Sequence, residues 1–183
     1  MEACDVLVIG EGIAGCTAAL AAAAKGAKVL VIEKASKDVP HANTAFSGGS
    51  FRRTSQAYPA EKFYQDMMSL SGGRADPELT RTMVEGSQKA RDWLAELGVP
   101  WNSKSRDPGA ANQVDGQGKA LAQILRRVVA ARDIRTLHDT EAYSLILASE
   151  EIRGAWIKTT GGNSERVKSF VDRSRRQSSQ FDL

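Results

Sequence analysis

Three glycines, Gly10, Gly12 and Gly15, stand in G-x-G-x-x-G spacing near the start of the chain, and an acid, Glu33, follows about 20 residues on. Each residue type has a chemical reason at its position. Gly10 permits a tight turn out of a strand. Gly12 lets main chain approach a diphosphate where a side chain would collide. Gly15 allows a helix to pack closely on a strand. Phosphate oxygens then meet main-chain amides and the positive end of a helix dipole. A carboxylate at Glu33 suits the two hydroxyls of an adenosine ribose and repels a 2′-phosphate. The chemistry implied is recognition of a dinucleotide.

The elements that must hold these residues are legible around them. "DVLVIG", residues 5–10, is a continuous apolar run, as expected of a strand covered on both faces of a parallel sheet. Ile13 to Lys25 is alanine-rich and stops at Gly26, the pattern of a helix with a glycine C-cap. "AKVLVIE" makes the second strand, with Glu33 at its end. Strand, helix, strand and acid thus fall in the order of a β-α-β dinucleotide unit. An alanine-rich helical hairpin with glycine turns would leave the placement of Glu33 unexplained.

Farther along, Asp76-Pro77 marks a helix start, and Leu79, Met83, Gly86, Ala90, Leu94 and Leu97 repeat at helical spacing up to Gly98 and Pro100. That stripe predicts a core-facing side. Phe63, Met67 and Leu70 predict a shorter amphipathic helix before it. Leu121, Ile124, Leu125, Val128 and Val129 predict another core-facing helix. "IRTLHDT" reads as a third parallel strand, and "YSLILAS" with "GAWIKTT" as an antiparallel hairpin turning at "EEIR". His138 is expected to be a packed or edge histidine, His41 a solvated loop histidine, and Arg52 and Arg53 solvated loop cations. Trp93 and Trp101 are expected to serve as hydrophobic anchors.

The β-α-β unit alone leaves NAD and FAD open. Residues 40–54, "PHANTAFSGGSFRRT", are polar and glycine-bearing where an ordinary NAD domain would cross into its next strand-helix unit; small and amide residues suit the close approach of a flat ring system. With "NTAFSGG", "VLVIGEGIAG" and "VIEK", followed by "ADPELTRTMVEGSQKARDWLAELGVPW" and "DGQGKALAQILRRVVAARDIRTLHDTEAYSLIL", the chain resembles the FAD-dependent oxidoreductases of the fumarate reductase and succinate dehydrogenase flavoprotein group, which includes tricarballylate and 3-ketosteroid dehydrogenases. The resemblance implies an α/β, Rossmann-like FAD-binding domain with a parallel sheet and an antiparallel hairpin. It also implies hydride transfer to or from a C–C bond beside a carbonyl or carboxylate of a small-molecule substrate.

Carried over by position, it sets Gly10, Gly12, Ala14 and Gly15 around the FAD pyrophosphate and Glu33 and Lys34 at the adenosine ribose. Asn43, Thr44, Ser47, Gly48 and Gly49 pass along the ribityl chain and isoalloxazine, and Ala142 meets the adenine through its backbone. Some relatives attach flavin through a histidine; the aligned residue here is Ala42, one place after His41. Relatives place the substrate domain and its acid and base outside the part matched, so no catalytic residue is assigned in this chain. The expected organisation is a partial FAD-binding domain over residues 1–162 and a basic, polar, disordered tail over 163–183, with Val6 to Ile9 left along an open edge. The alternatives are a truncated inactive fragment, one half of a split flavoprotein needing a complementary chain, and a small NAD-binding module.

Composition narrows the remaining classes. Of the formal net charge of +3, two units come from residues 165–183, which hold five basic residues against three acids. The near-neutral body gives no support to nucleic-acid binding. Cys4 and Cys16 form no metal-ligand or C-x-x-C spacing, and both sit in apolar surroundings, which predicts buried free thiols and a reducing, cytoplasmic setting. Asp5 and Glu11 interrupt the apolar start, so neither a signal peptide nor a membrane span is expected. No metal site is expected either.

Overall fold

The computed structural model of the chain describes residues 2–102, 111–148 and 150–160, and the backbone of 164–169. The chain divides into two compact units, one made of Met1–Ala42 with Leu125–Leu183 and the other of Asn43–Ile124.

The first unit begins with one extended segment that Asp5 splits in two. Strand β1 (Glu2–Cys4) precedes it and β2 (Val6–Ile9) follows. Asp5 ties the start of β2 to its neighbour: its amide donates to the Lys28 carbonyl at 2.8 Å, and its carboxylate accepts from the Lys28 amide at 2.7 Å. Helix α1 (Ile13–Ala24) and strand β3 (Val29–Ile32) complete the β-α-β unit, with β2 and β3 parallel from Val6↔Val29 to Ile9↔Ile32. All four residues of β3 are buried, as a strand covered on both faces requires. Strand β7 (Arg135–Leu137) adds in parallel on its far side, the third parallel strand expected from "IRTLHDT". Cys16, Ala19 and Leu20 form the buried stripe of α1. Full burial of side chains such as Leu20, Leu30 and Ile32 contributes about 1.5–3 kcal/mol each.

The hairpin is also present, although Glu151, Ile152 and Arg153 of the expected turn "EEIR" belong to its second strand. Strand β8 (Thr140–Ala148) pairs antiparallel with β9 (Glu151–Thr159), and Cys4, Leu30, Ile32 and Ile157 form a core cluster with Leu7, Leu137 and Ala142 against it. A further strand, β10 (Ser164–Ser169), lies between β9 and β1, antiparallel to the first and parallel to the second. This differs from the polar tail expected from residue 163 onward. Two backbone ladders hold β10, so a polar "SERVKS" serves where no apolar run announces a strand; the rest of the expected tail lies outside the described residues. β2 is the outer strand of its three-stranded sheet among the described residues, and Ile9 there is 55% exposed, in line with the open edge expected for Val6 to Ile9.

The second unit holds a small antiparallel sheet of β4 (Ser50–Arg52), β6 (Ala111–Val114) and β5 (Trp101–Asn102), in that order. Helix α3 (Ala60–Leu70) packs with α4 (Pro77–Glu96) around Tyr58, Phe63 and Val84. Asp76 caps α4, accepting from the Leu79 amide at 2.8 Å, with Pro77 at the first turn as the sequence predicts. The buried face of α4 is nevertheless Thr80, Val84, Ser87 and Leu94; Leu79 and Met83 are exposed, and Leu70 of α3 is too. Ser87 and Thr80 can lie inward because each hydroxyl donates to a carbonyl of its own helix, to Val84 at 2.7 Å and to Asp76 at 2.6 Å. Helix α5 (Gln117–Ala131), which belongs to the first unit from Leu125 onward, buries Leu121, Leu125 and Val129, on the face its spacing predicts.

Candidate functional site

Site construction starts at the turn from β2 into α1. Gly10 has φ +99°, a conformation that side chains with a Cβ rarely adopt, and its amide donates to the Ile32 carbonyl at 2.8 Å. Gly15 lies so close beneath it that a Cβ there would come within 1.9 Å of the Gly10 carbonyl oxygen. The two glycines therefore pack main chain on main chain, the contact expected of the first and third motif positions. Gly12 is the extended residue at the N-cap of α1, where no side chain caps the helix, and Ala14 is exposed on the first turn.

Glu33, at the end of β3, is buried. Its Oε2 accepts from the Glu11 amide and its Oε1 from the Ala35 amide, both at 2.9 Å. Each oxygen keeps a second lone pair for a hydroxyl donor. Burial alone would raise its pKa. The amides of Ala35 and Glu11, the neighbouring His41 ring and the Lys34 amide outweigh burial and hold the carboxyl below its ordinary value. Gly10, Glu33, Lys34 and Ala142 line one cavity of about 310 Å³, with Ile9, Ile32, Thr140 and Glu141. Four of the residues marked from sequence, just past the ends of β2 and β3 and within β8, thus share one open concavity, and Gly12, Ala14 and Gly15 follow closely on Gly10.

The remaining marked residues, Asn43, Thr44, Ser47, Gly48 and Gly49, belong to the second unit, in helix α2 (Ala42–Phe46) and the loop after it. They meet a segment whose fitted role the spacing did not reveal, Gly116-Gln117-Gly118. A Cβ on Gly118 would lie 2.0 Å from the Thr44 carbonyl oxygen, and one on Gly49 would lie 2.7 Å from the Gln117 backbone. Gly118 donates to the Ser47 carbonyl at 3.1 Å, Val114 donates to the Gly49 carbonyl at 2.9 Å, and the Gln113 amide side chain reaches the Gly48 carbonyl. The pattern "DGQG" was the available signal: two glycines just ahead of an amphipathic helix.

Two polar residues, His41 and Arg53, stand otherwise than expected. His41 is buried, its Nδ1 2.8 Å from the Val39 carbonyl and its Nε2 3.3 Å from Glu11 Oε2. Arg53 is half-buried and donates to Asn112 Oδ1 at 2.6 Å and to the Thr54 carbonyl at 3.1 Å, bracing its own unit, whereas Arg52 is exposed as expected, donating to the Tyr58 hydroxyl at 3.3 Å. Trp101 packs edge-on to Phe51 and under Arg91, in keeping with an anchoring role. His138 is a packed histidine, donating from Nε2 to Glu11 Oε2 at 2.9 Å. Cys4 and Cys16 are buried free thiols, and burial followed by the nearby Glu11 carboxylate pushes the Cys16 thiol up to about 12. Among the described residues, no cluster of His, Cys, Asp and Glu is arranged to hold a metal ion, and no helix is long and apolar enough to cross a membrane.

Comparison with known proteins shows the family. The family model described as FAD binding domain matches residues 5–176. The chain is 31% identical over 180 residues to an L-aspartate oxidase of Halobacterium salinarum, covering 91% of this chain and 35% of that protein. It is 30% identical over 167 residues to an NADH:fumarate oxidoreductase of Klebsiella pneumoniae, covering 82% of this chain and 18% of that protein. Among solved structures, 3-ketosteroid-Δ4-(5α)-dehydrogenase from Rhodococcus jostii superposes with a TM-score of 0.78 at 24% identity, over 92% of this chain and 44% of that one. The open conformation of a flavocytochrome c3 fumarate reductase superposes with a TM-score of 0.79 at 23% identity, over 91% of this chain and 32% of that one. The chain thus spans about a third or less of the two curated relatives. A dinucleotide fold, a glycine-rich turn between its first strand and helix and a family match over nearly the whole length converge: the chain belongs to the FAD binding domain family of fumarate reductase-like flavin oxidoreductases.

Proposed function

We propose that Gly10, Gly12, Ala14 and Gly15 hold the FAD diphosphate, that Glu33 and Lys34 bind the adenosine ribose, and that Ala142 meets the adenine through its main chain. The observation that carries this reading is the single cavity lined by Gly10, Glu33, Lys34 and Ala142. Glu33 is suited to its task because two amide donors hold both its oxygens in place before any sugar arrives, which lowers the cost of ordering on binding. The packing of Gly15 on Gly10 leaves the turn narrow enough for main-chain amides to approach phosphate. For the second unit we assign Asn43, Thr44, Ser47, Gly48 and Gly49 to the ribityl chain and isoalloxazine, a reading supported by the glycine-tight packing of that loop.

The reaction we assign to the whole protein is hydride transfer between the flavin and a C–C bond beside a carbonyl or carboxylate of a small molecule. Bound FAD supplies the two-electron chemistry, and this chain's residues bind and orient it. Two buried free thiols support a reducing, cytoplasmic setting. A complementary chain is a second reading, favoured by the exposed Ile9 on the outer strand β2. Titration of the full chain with FAD, followed by flavin fluorescence, tests the first reading. Saturable binding that weakens roughly tenfold in Glu33→Gln is expected, from loss of a charge-assisted hydrogen bond. Binding unchanged by that substitution refutes the assignment of Glu33.

A further inference from the structure

Glu11 occupies a motif position at which a dinucleotide fold requires no side chain, yet its carboxylate is 3% exposed. One oxygen, Oε2, gathers three basic groups. His138 Nε2 lies at 2.9 Å, His41 Nε2 at 3.3 Å and Arg126 Nε at 3.4 Å. The arginine nitrogen is buried and makes no hydrogen bond, so its link to Glu11 is an ion pair alone. Arg126 also donates from a terminal nitrogen to the His41 carbonyl at 3.4 Å. The Glu11 amide donates to Glu33 Oε2, the Glu11 carbonyl accepts from the Cys16 thiol at 3.6 Å, and His41 Nε2 stands 3.8 Å from Glu33 Oε2. A buried carboxylate costs several kcal/mol unless it is paired. A small residue at this position would avoid that cost, so the charge calls for a reason.

We propose that Glu11 is a positioning residue: its carboxylate, clasped by His138, His41 and Arg126, fixes the glycine turn in the shape that receives the FAD diphosphate. Through its amide the same residue sets the rotamer of Glu33, so one anchor aligns the phosphate-facing and ribose-facing parts of the site. The proposal rests on the FAD assignment above, and it makes a prediction opposite in sign to simple electrostatics. A carboxylate close to a diphosphate should repel it, so neutralising Glu11 would tighten binding if charge were all that mattered. Anchoring predicts the reverse, because Glu11→Gln loses the charge-assisted bonds that hold the turn.

The test compares the full-length wild-type chain with E11Q in two measurements: FAD affinity by fluorescence titration, and amide hydrogen exchange of residues 10–16 without FAD. Anchoring predicts affinity weaker by roughly tenfold, and faster exchange in the turn. Equal or tighter FAD binding by E11Q, or unchanged exchange in the turn, overturns the proposal. Should wild type fail to bind FAD, the cofactor assignment falls and the exchange comparison alone decides the anchoring. Should E11Q fail to fold, His138→Gln removes one donor from the carboxylate and is read by the same two measurements. In a double-mutant cycle, E11Q with His138→Gln should cost no more affinity than E11Q alone; additive losses contradict a shared anchor.

Discussion

At the residue scale, the candidate site is built on two glycines in main-chain contact and one buried acid. Gly15 admits no Cβ without displacing the Gly10 carbonyl, whose oxygen would be 1.9 Å away. Gly15→Ala should therefore destabilise the chain by about 1–3 kcal/mol in chemical denaturation, although alanine favours helix; an unchanged midpoint contradicts the packing described. Glu33 offers a pH test. Its folded pKa lies below the ordinary value, so its contribution to stability is complete above the unfolded-state pKa and is lost as pH falls through the depressed folded value. The stability gap between wild type and Glu33→Gln should hold near neutrality and close on acidification. A gap that persists unchanged at low pH would show that the ionised carboxylate is not what stabilises the fold. Of this site, the glycines and Glu33 were legible because their spacing is local. The Glu11 anchor was not: its histidine partners lie 30 and 127 positions away, and an acid in a glycine turn reads as a solvated loop residue.

At the element scale, the strands and helices with strong apolar patterning are where the sequence implies them. β2, α1 and β3 follow from two apolar runs flanking alanines, and α5 from its regular stripe. Two elements resisted. α4 turns Thr80 and Ser87 inward, since hydroxyls bonded within their own helix bury cheaply, while Leu79 and Met83 face outward. Met83 lines an apolar groove of about 580 Å³ with Phe63, Met67, Gly86 and Ala90, so the middle of the stripe faces that groove while Leu94 joins the core. β10 has no apolar signature, because two neighbouring backbone ladders suffice to order it. The cap of α4 provides the check at this scale. Asp76→Ala removes the bond to the Leu79 amide and should cost about 1 kcal/mol by denaturant titration, whereas Asp76→Asn should cost much less; equal losses contradict the cap.

At the scale of the whole molecule, the central claim is that one concavity of the first unit takes the adenosine diphosphate half of FAD. Its walls come from three strands that meet only in the folded chain, so the claim concerns where the ligand lies as well as whether it binds. The most direct measurement is mapping of backbone amide shifts by two-dimensional NMR as FAD is added to the isotopically labelled chain. The predicted result is a contiguous set of shifts at Gly10, Gly12, Ala14, Gly15, Glu33, Lys34 and Ala142. Shifts confined to other segments, or none at saturating FAD, would contradict it.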